Sequence, residues 1–295
     1  MARQSSQLRP VRCGWADESI WSCSVVQVTP VMNVFDLRDV RFAYDSGSEA
    51  LAGVSMTVHA GEQIAILGAN GSGKSTLLKI MDGLCFPSAG WVQAFGRPLT
   101  ERALQVEAFN FAFRRRVSLV FQDSEVQLFS PSVWDEVAFA PLQMGFSQAE
   151  VTSRVEGALE ALRIAHLRGR PPHRLSGGEK KRVALASVLS LDPEVWLLDE
   201  PTAGLDPRSC AWLVGFLQEQ ARAGRTVIVA THDLDIVPTI AERVYMLDEG
   251  HELVAEGPAA AVLSDHALLV GCNLLQEGGH VHLAPPRAAP SPSLD

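Results

Sequence analysis

The sequence predicts an α/β fold with a mostly parallel core sheet covered on both faces. Three observations carry that expectation. Short apolar runs at residues 63–67, 117–121, 195–199 and 226–230 alternate with segments of helical periodicity, the pattern of parallel strands joined by crossover helices. The first run leads straight into a glycine-rich loop and then a helical stripe. The third and fourth end in polar groups, Asp199-Glu200 and His232, at the sheet edge where α/β proteins place ligand sites.

The elements follow in order. Residues 34–37 and 40–44 read as short strands, and Leu51, Val54, Met56 and Val58 roughly alternate with smaller or polar residues up to a turn at Ala60-Gly61-Glu62. Residues 63–67 form a buried-strand pattern, and Leu77, Leu78, Ile80 and Met81 make a helical stripe. From about 133 to 167 the pattern is helical, with Ala149, Val151, Val155, Ala158, Leu159 and Leu162 on one face. Helices are expected again over Val183–Leu189, near 211–222 and over 233–241, with a strand at 244–247. Residues 1–31 carry Trp15 and Trp21 but no period, and read either as a disordered extension or as a misannotated start ahead of an initiator at Met32. Residues 277–295, rich in proline and alanine, read as a disordered tail. His280 and His282 within it read as solvated residues.

At 295 residues the chain is large for one domain and small for two. With 47% hydrophobic and 20% charged residues it suits a globular core. The net charge of −9 argues against nucleic acid as the main partner. Cys13, Cys23, Cys85, Cys210 and Cys272 are odd in number, scattered and never paired as Cys-x-x-Cys, which points to a reducing compartment rather than a disulfide framework or zinc site. No apolar run approaches the roughly 18 to 20 residues that span a bilayer. A membrane role is therefore expected to come through a partner.

Gly68-Ala69-Asn70-Gly71-Ser72-Gly73-Lys74-Ser75 matches G-x-x-x-x-G-K-[ST] in full. Such a loop curls so that its N–H groups face phosphate oxygens, and the helix behind it adds its positive end. Lys74 is expected at the β- and γ-phosphates of a nucleotide and Ser75 at Mg²⁺, with Thr76 completing the binding set, which the family resemblance below makes an ATP site. Asp199, closing an apolar strand, is placed to reach Mg²⁺, and Glu200 to polarise the attacking water. Taken alone, Asp199-Glu200-Pro201 could equally be a solvated turn. Gln122, just past the 117–121 strand, reads as a contact to Mg²⁺ or to that water. His232 reads as a γ-phosphate sensor. Tyr44 could stack on adenine or be a packed surface tyrosine.

Leu175-Ser176-Gly177-Gly178-Glu179 between the loop and the acidic strand, with Gly204-Leu205-Asp206 after it, makes the chain resemble the ATP-binding-cassette ATPases over about residues 33–265. The resemblance implies a P-loop NTPase fold of the ABC type spanning 32–276, with an antiparallel β subdomain and a helical subdomain at about 123–180. It implies that Leu175, Ser176, Gly177, Gly178 and Glu179 cap the ATP of a facing subunit and that Asp206 communicates across the dimer. One phosphate loop and one such segment per chain then require two chains, as a homodimer or with a related ATPase.

A narrower resemblance rests on Phe121-Gln122-Asp123-Ser124-Glu125-Val126-Gln127-Leu128-Phe129 and Trp134-Asp135-Glu136-Val137-Ala138-Phe139-Ala140-Pro141. These look like ATPase subunits of energy-coupling-factor importers, particularly the cobalt/nickel group. In that group an Asn-Pro-Asp-Asp stretch precedes Gln-Leu-Phe, and Asp123-Ser124-Glu125-Val126 departs from it. The resemblance implies transmembrane permease subunits, a substrate-binding membrane component, and a peripheral place on the cytoplasmic face of the membrane. Vitamin uptake is the alternative cargo. A soluble cassette protein acting on ribosomes or DNA is a further alternative, disfavoured by the single cassette and the acidic charge. A phosphate-loop kinase or GTPase is disfavoured by LSGGE.

Overall fold

Strand pairing resolves the predicted alternation into two sheets. The computed structural model describes residues 32–276, Ser46 excepted, so the expectations for 1–31, for 277–295 and for His280 and His282 lie outside the described residues. The strands are β1 (Asn33–Ala43), β2 (Glu49–His59), β3 (Gln63–Leu67), β4 (Ala89–Ala94), β5 (Arg97–Pro98), β6 (Val117–Val120), β7 (Val195–Asp199), β8 (Thr226–Thr231), β9 (Arg243–Leu247) and β10 (Leu253–Pro258). One sheet has the order β10-β9-β3-β8-β7-β6. It is parallel throughout except for the antiparallel edge pair β9–β10. The other is antiparallel, with the order β2-β1-β4-β5.

The period-2 geometry of a strand sends alternate side chains to opposite faces, and here both faces are cores. Ala65, Leu67, Trp196, Leu198, Val227 and Val229 enter one core, which the helices Val133–Gln143, Gln148–Ala161, Gly177–Leu189 and Pro207–Arg222 cover. Ile64, Ile66, Val195, Leu197, Ile228 and Ala230 enter the other, shared with the helix Lys74–Met81 and the antiparallel sheet. That double burial explains why β3, β7 and β8 read as continuous apolar runs.

Several elements differ from expectation. The two short strands at 34–37 and 40–44 are one strand, β1, interrupted by a register shift at Asp39, whose φ is +46°. The helical run from 133 to 167 is broken, because Gly145 turns with φ +72° and Ser147 starts a new helix through a capping box with Glu150. The helix expected over 233–241 shrinks to Val237–Ile240. Asp233 accepts the Asp235 N–H at 3.1 Å, a side-chain turn that competes with helix. Among the described residues no helix is long and apolar enough to cross a membrane.

Candidate active site

The phosphate loop joins β3 to the helix Lys74–Met81. Gly73 is that helix's N-cap, at φ +106°, and a Cβ there would stand 2.2 Å from the Ala50 carbonyl oxygen. A Cβ at Gly68 would meet Ser72 Oγ at 2.4 Å. The loop therefore closes only with glycine at both positions. Lys74 is buried, and its ammonium donates to the Gly68 and Ala69 carbonyls at 2.8 and 3.0 Å.

β8 pairs with β3 and β7 pairs with β8, and their ends deliver the acid and the histidine to the same edge. Glu200, directly after β7, is 4% exposed and adopts φ +41°, a conformation that costs a non-glycine residue energy and clusters at functional sites. Its carboxylate has three partners: Thr231 Oγ1 donates at 3.0 Å, His232 Nδ1 lies at 2.8 Å and Lys74 Nζ at 3.4 Å. His232 itself is half exposed. Asp199 is buried, with the Ser75 hydroxyl near its carboxylate. Burial raises the Asp199 pKa, with the nearby Ser75 hydroxyl and Lys74 opposing it and the neighbouring Glu200 adding to it.

Two buried oxygens in this region, Ser72 Oγ and Asp199 Oδ1, have no hydrogen-bond partner. Buried oxygens of that kind are ordinarily met by a water or an ion. The nearby set of Ser75 hydroxyl, Asp199 carboxylate and Gln122 amide supplies only hard oxygens on the protein side, which fits Mg²⁺.

Tyr44, Asn70, Gly71, Gly73, Lys74, Ser75, Thr76, Gln122 and Glu200 all line one cleft of about 460 Å³. The Tyr44 hydroxyl lies 3.0 Å from Thr76 Oγ1, and its ring stands edge-on to Phe42, so one tyrosine both packs and borders the cleft. Two residues that sequence reasoning missed belong here. His251, after the β9 turn, lines the cleft. Lys181 is 3% exposed and donates to the Phe121 and Gln122 carbonyls at 3.2 and 3.1 Å. Burial pulls its pKa down to about 8, against the pull of Asp199 and Asp123.

The Leu175–Glu179 segment does not line this cleft. Leu175 is buried, whereas Ser176 and Gly177 are exposed at the start of the helix Gly177–Leu189. Ser176 and Glu179 form a capping box: Glu179 Oε2 accepts from the Ser176 N–H and hydroxyl, each at 2.8 Å. Those two bonds hold the Glu179 carboxyl below its usual range. Asp206 caps the helix Pro207–Arg222, accepting from the Arg208 and Ser209 N–H groups at 3.0 and 3.1 Å and from the Ser209 hydroxyl at 2.7 Å. A Cβ on Gly178 would come within 3.2 Å of that same hydroxyl, so the Ser176–Glu179 segment and the Asp206 cap adjoin. The chain thus carries a cleft lined by the glycine loop around Lys74 and, outside that lining, an exposed helix N-terminus.

A family model for ABC transporters matches residues 51–203, just over half of the chain. The chain belongs to the ABC transporter family. It is one of that family's ATPase cassettes, and the cassette has well-covered relatives. The nickel import ATP-binding protein NikO of Rhodobacter capsulatus is 54% identical over 82% of this chain and 95% of its own length. The energy-coupling factor transporter ATP-binding protein EcfA of Methanothermobacter thermautotrophicus is 42% identical over 80% of this chain and 74% of its own. Among solved structures, CbiO1 of Clostridium perfringens, part of the transporter complex CbiONQ, is 37% identical with a TM-score of 0.70, covering 82% of the cassette chain and 95% of its own. A dimeric ATP-binding cassette bound to ADP and Pi is 27% identical with a TM-score of 0.69, covering 76% and 98%.

Proposed function

We propose that this cassette is the ATP-hydrolysing subunit of a membrane importer for a transition metal, nickel or cobalt, and that it works as a dimer on the cytoplasmic face of the membrane. The observation that carries the reading is the separation of its two half-sites. The loop around Lys74 lines one cleft, while the exposed helix N-terminus at Ser176, the kind of end that binds anions, lies outside that lining. Two chains facing each other in opposite senses would complete two sites. The nickel reading rests on the identity with the nickel import protein NikO, and cobalt rests on the sequence resemblance to the cobalt/nickel energy-coupling-factor ATPases. A vitamin or other micronutrient is the second cargo reading, and it rests on the sequence resemblance to energy-coupling-factor ATPases, of which EcfA is one by name.

In this proposal Lys74 and the loop 68–73 hold the ATP phosphates, and Thr76 and Tyr44 border the nucleotide, with Tyr44 against adenine. Ser75, Gln122 and Asp199 hold Mg²⁺, which neutralises phosphate charge when bound. Glu200 orients and polarises the attacking water while His232 contacts the γ-phosphate. Leu175, Ser176, Gly177, Gly178 and Glu179 cap the ATP of the facing subunit, and Asp206, beside Gly178, passes the state of one site to the other. The cassette domain covers 32–276, with its helical subdomain at 123–180. An apolar groove of about 300 Å³, bordered by Leu84, Phe121, Phe139 and Met144 and by Phe129 at 66% exposure, receives a helix of the transmembrane subunit. A membrane component supplies substrate choice.

The test is purification of the full chain from its own membranes, followed by uptake of radiolabelled nickel or cobalt into cells. Co-purification with hydrophobic membrane proteins, and uptake lost in Glu200→Gln, are expected. Recovery with ribosomes or DNA would overturn the importer reading.

A further inference from the structure

We propose that Lys181 is a positioning residue for Gln122, fixing the cleft-facing glutamine to the helix that starts at Ser176. A buried ammonium is costly unless its donors are met. Lys181 is 3% exposed and spends its donors on two consecutive backbone carbonyls, those of Phe121 and Gln122, 60 and 59 residues away in the chain. Those carbonyls belong to the segment that brings Gln122 into the nucleotide cleft. The preceding residue, Lys180, pairs with the Glu125 carboxylate. Two successive lysines, one turn into the helix Gly177–Leu189, therefore grip the same five-residue stretch 121–125.

The consequence is mechanical. The exposed N-terminus of that helix, at Ser176 and Gly177, is the part read above as facing the partner's ATP. Any shift of this helix would move the Lys181 ammonium and, through its two hydrogen bonds, the Gln122 backbone. A change at one composite site is thereby felt at Gln122 of the other. The Glu125 position, where the sequence departs from the importer pattern, becomes the outer half of the same grip. Its side chain is 69% exposed, so the buried Lys181 bonds carry most of the coupling.

This inference rests on the proposed role of Gln122, and a double-mutant cycle on the full chain separates the two. Steady-state ATP hydrolysis and ATP affinity are measured for wild type, Lys181→Met, Gln122→Ala and the double variant, with thermal unfolding as the folding control. Loss of hydrogen bonds made by a charged donor corresponds to a fall in kcat of about tenfold. Lys181→Met is expected to show it with ATP affinity changed less than about twofold. The double variant is expected to be no slower than Gln122→Ala, since both changes act on one group. Effects that multiply, or a Lys181→Met enzyme at wild-type rate, overturn the inference while leaving Gln122 in place. A Gln122→Ala enzyme at wild-type rate overturns the Gln122 role and the inference with it. If Lys181→Met does not fold, Lys181→Gln, whose shorter neutral amide cannot span both carbonyls, carries the same cycle with the same criteria.

Discussion

His232 Nδ1 and Glu200 Oε1 lie 2.8 Å apart, joining the ends of β8 and β7. Lys74 Nζ lies 3.4 Å from the same oxygen, so the buried carboxylate is oriented from two sides and by Thr231 from a third. Such fixing suits a group that must hold one direction toward a water. Glu200→Gln preserves the shape and removes the charge. Hydrolysis is expected to fall by at least about 100-fold, the scale of losing a positioned base, with ATP binding and ATP-dependent self-association retained. Phosphate release and light scattering measure the two. Undiminished hydrolysis would remove Glu200 from the chemistry.

The site's phosphate half was legible because it is local: eight consecutive residues dictate the loop, and Gly73 can be nothing but glycine. The shared placement of Asp199, Glu200 and His232 at one end of the sheet was legible for a related reason, since β7 and β8 are buried on both faces and read as continuous apolar runs that stop at those residues. The β10 strand was not read, because its residues alternate between half-buried and exposed around charged and glycine positions. Lys181 was hidden inside the basic run Lys180-Lys181-Arg182. Only tertiary packing buries the middle one. His251 reaches the cleft through a turn whose sequence says nothing of its destination.

Gly73 and Gly71 make a paired test of the cradle. Both have positive φ, +106° and +86°, but a Cβ on Gly73 meets backbone at 2.2 Å while one on Gly71 meets nothing within 4 Å. Gly71→Ala is expected to cost only backbone strain, on the order of 1 kcal/mol. Gly73→Ala must also displace Ala50, and should cost several times more and abolish ATP binding. Thermal unfolding and nucleotide titration of the two variants give the comparison. Equal costs would show that the Ala50 contact yields easily.

Ser176 tests the composite site. Ser176→Arg puts a bulky cation at an exposed helix N-terminus, leaving the same chain's cleft untouched. Hydrolysis is expected to vanish while the variant still binds ATP. Mixing it with Lys74→Ala chains should restore activity, because the mixed dimer pairs the sound loop of one chain with the sound Ser176 of the other. Assays of the two variants, separate and mixed, decide it. A silent mixture would place the other half-site on a different chain.

Asp82 supplies a pH test away from the chemistry. It ends the helix Lys74–Met81 and is 6% exposed, with Arg114 donating to its carboxylate at 2.9 Å. Burial outweighs Arg114 and pushes its pKa up from 3.8 to about 6. Folding therefore favours the protonated acid. The stability linked to it is complete below the unfolded-chain value and is lost as pH rises through about 6. Asp82→Asn cannot ionise and lacks this dependence. The stability of wild type relative to Asp82→Asn is expected to fall by about 2 kcal/mol between roughly pH 4 and 7, most of it below pH 6. Denaturant unfolding of both proteins across that range measures the difference. A constant difference would mean that Arg114 keeps Asp82 ionised throughout, and that the pair rather than the burial governs this helix end.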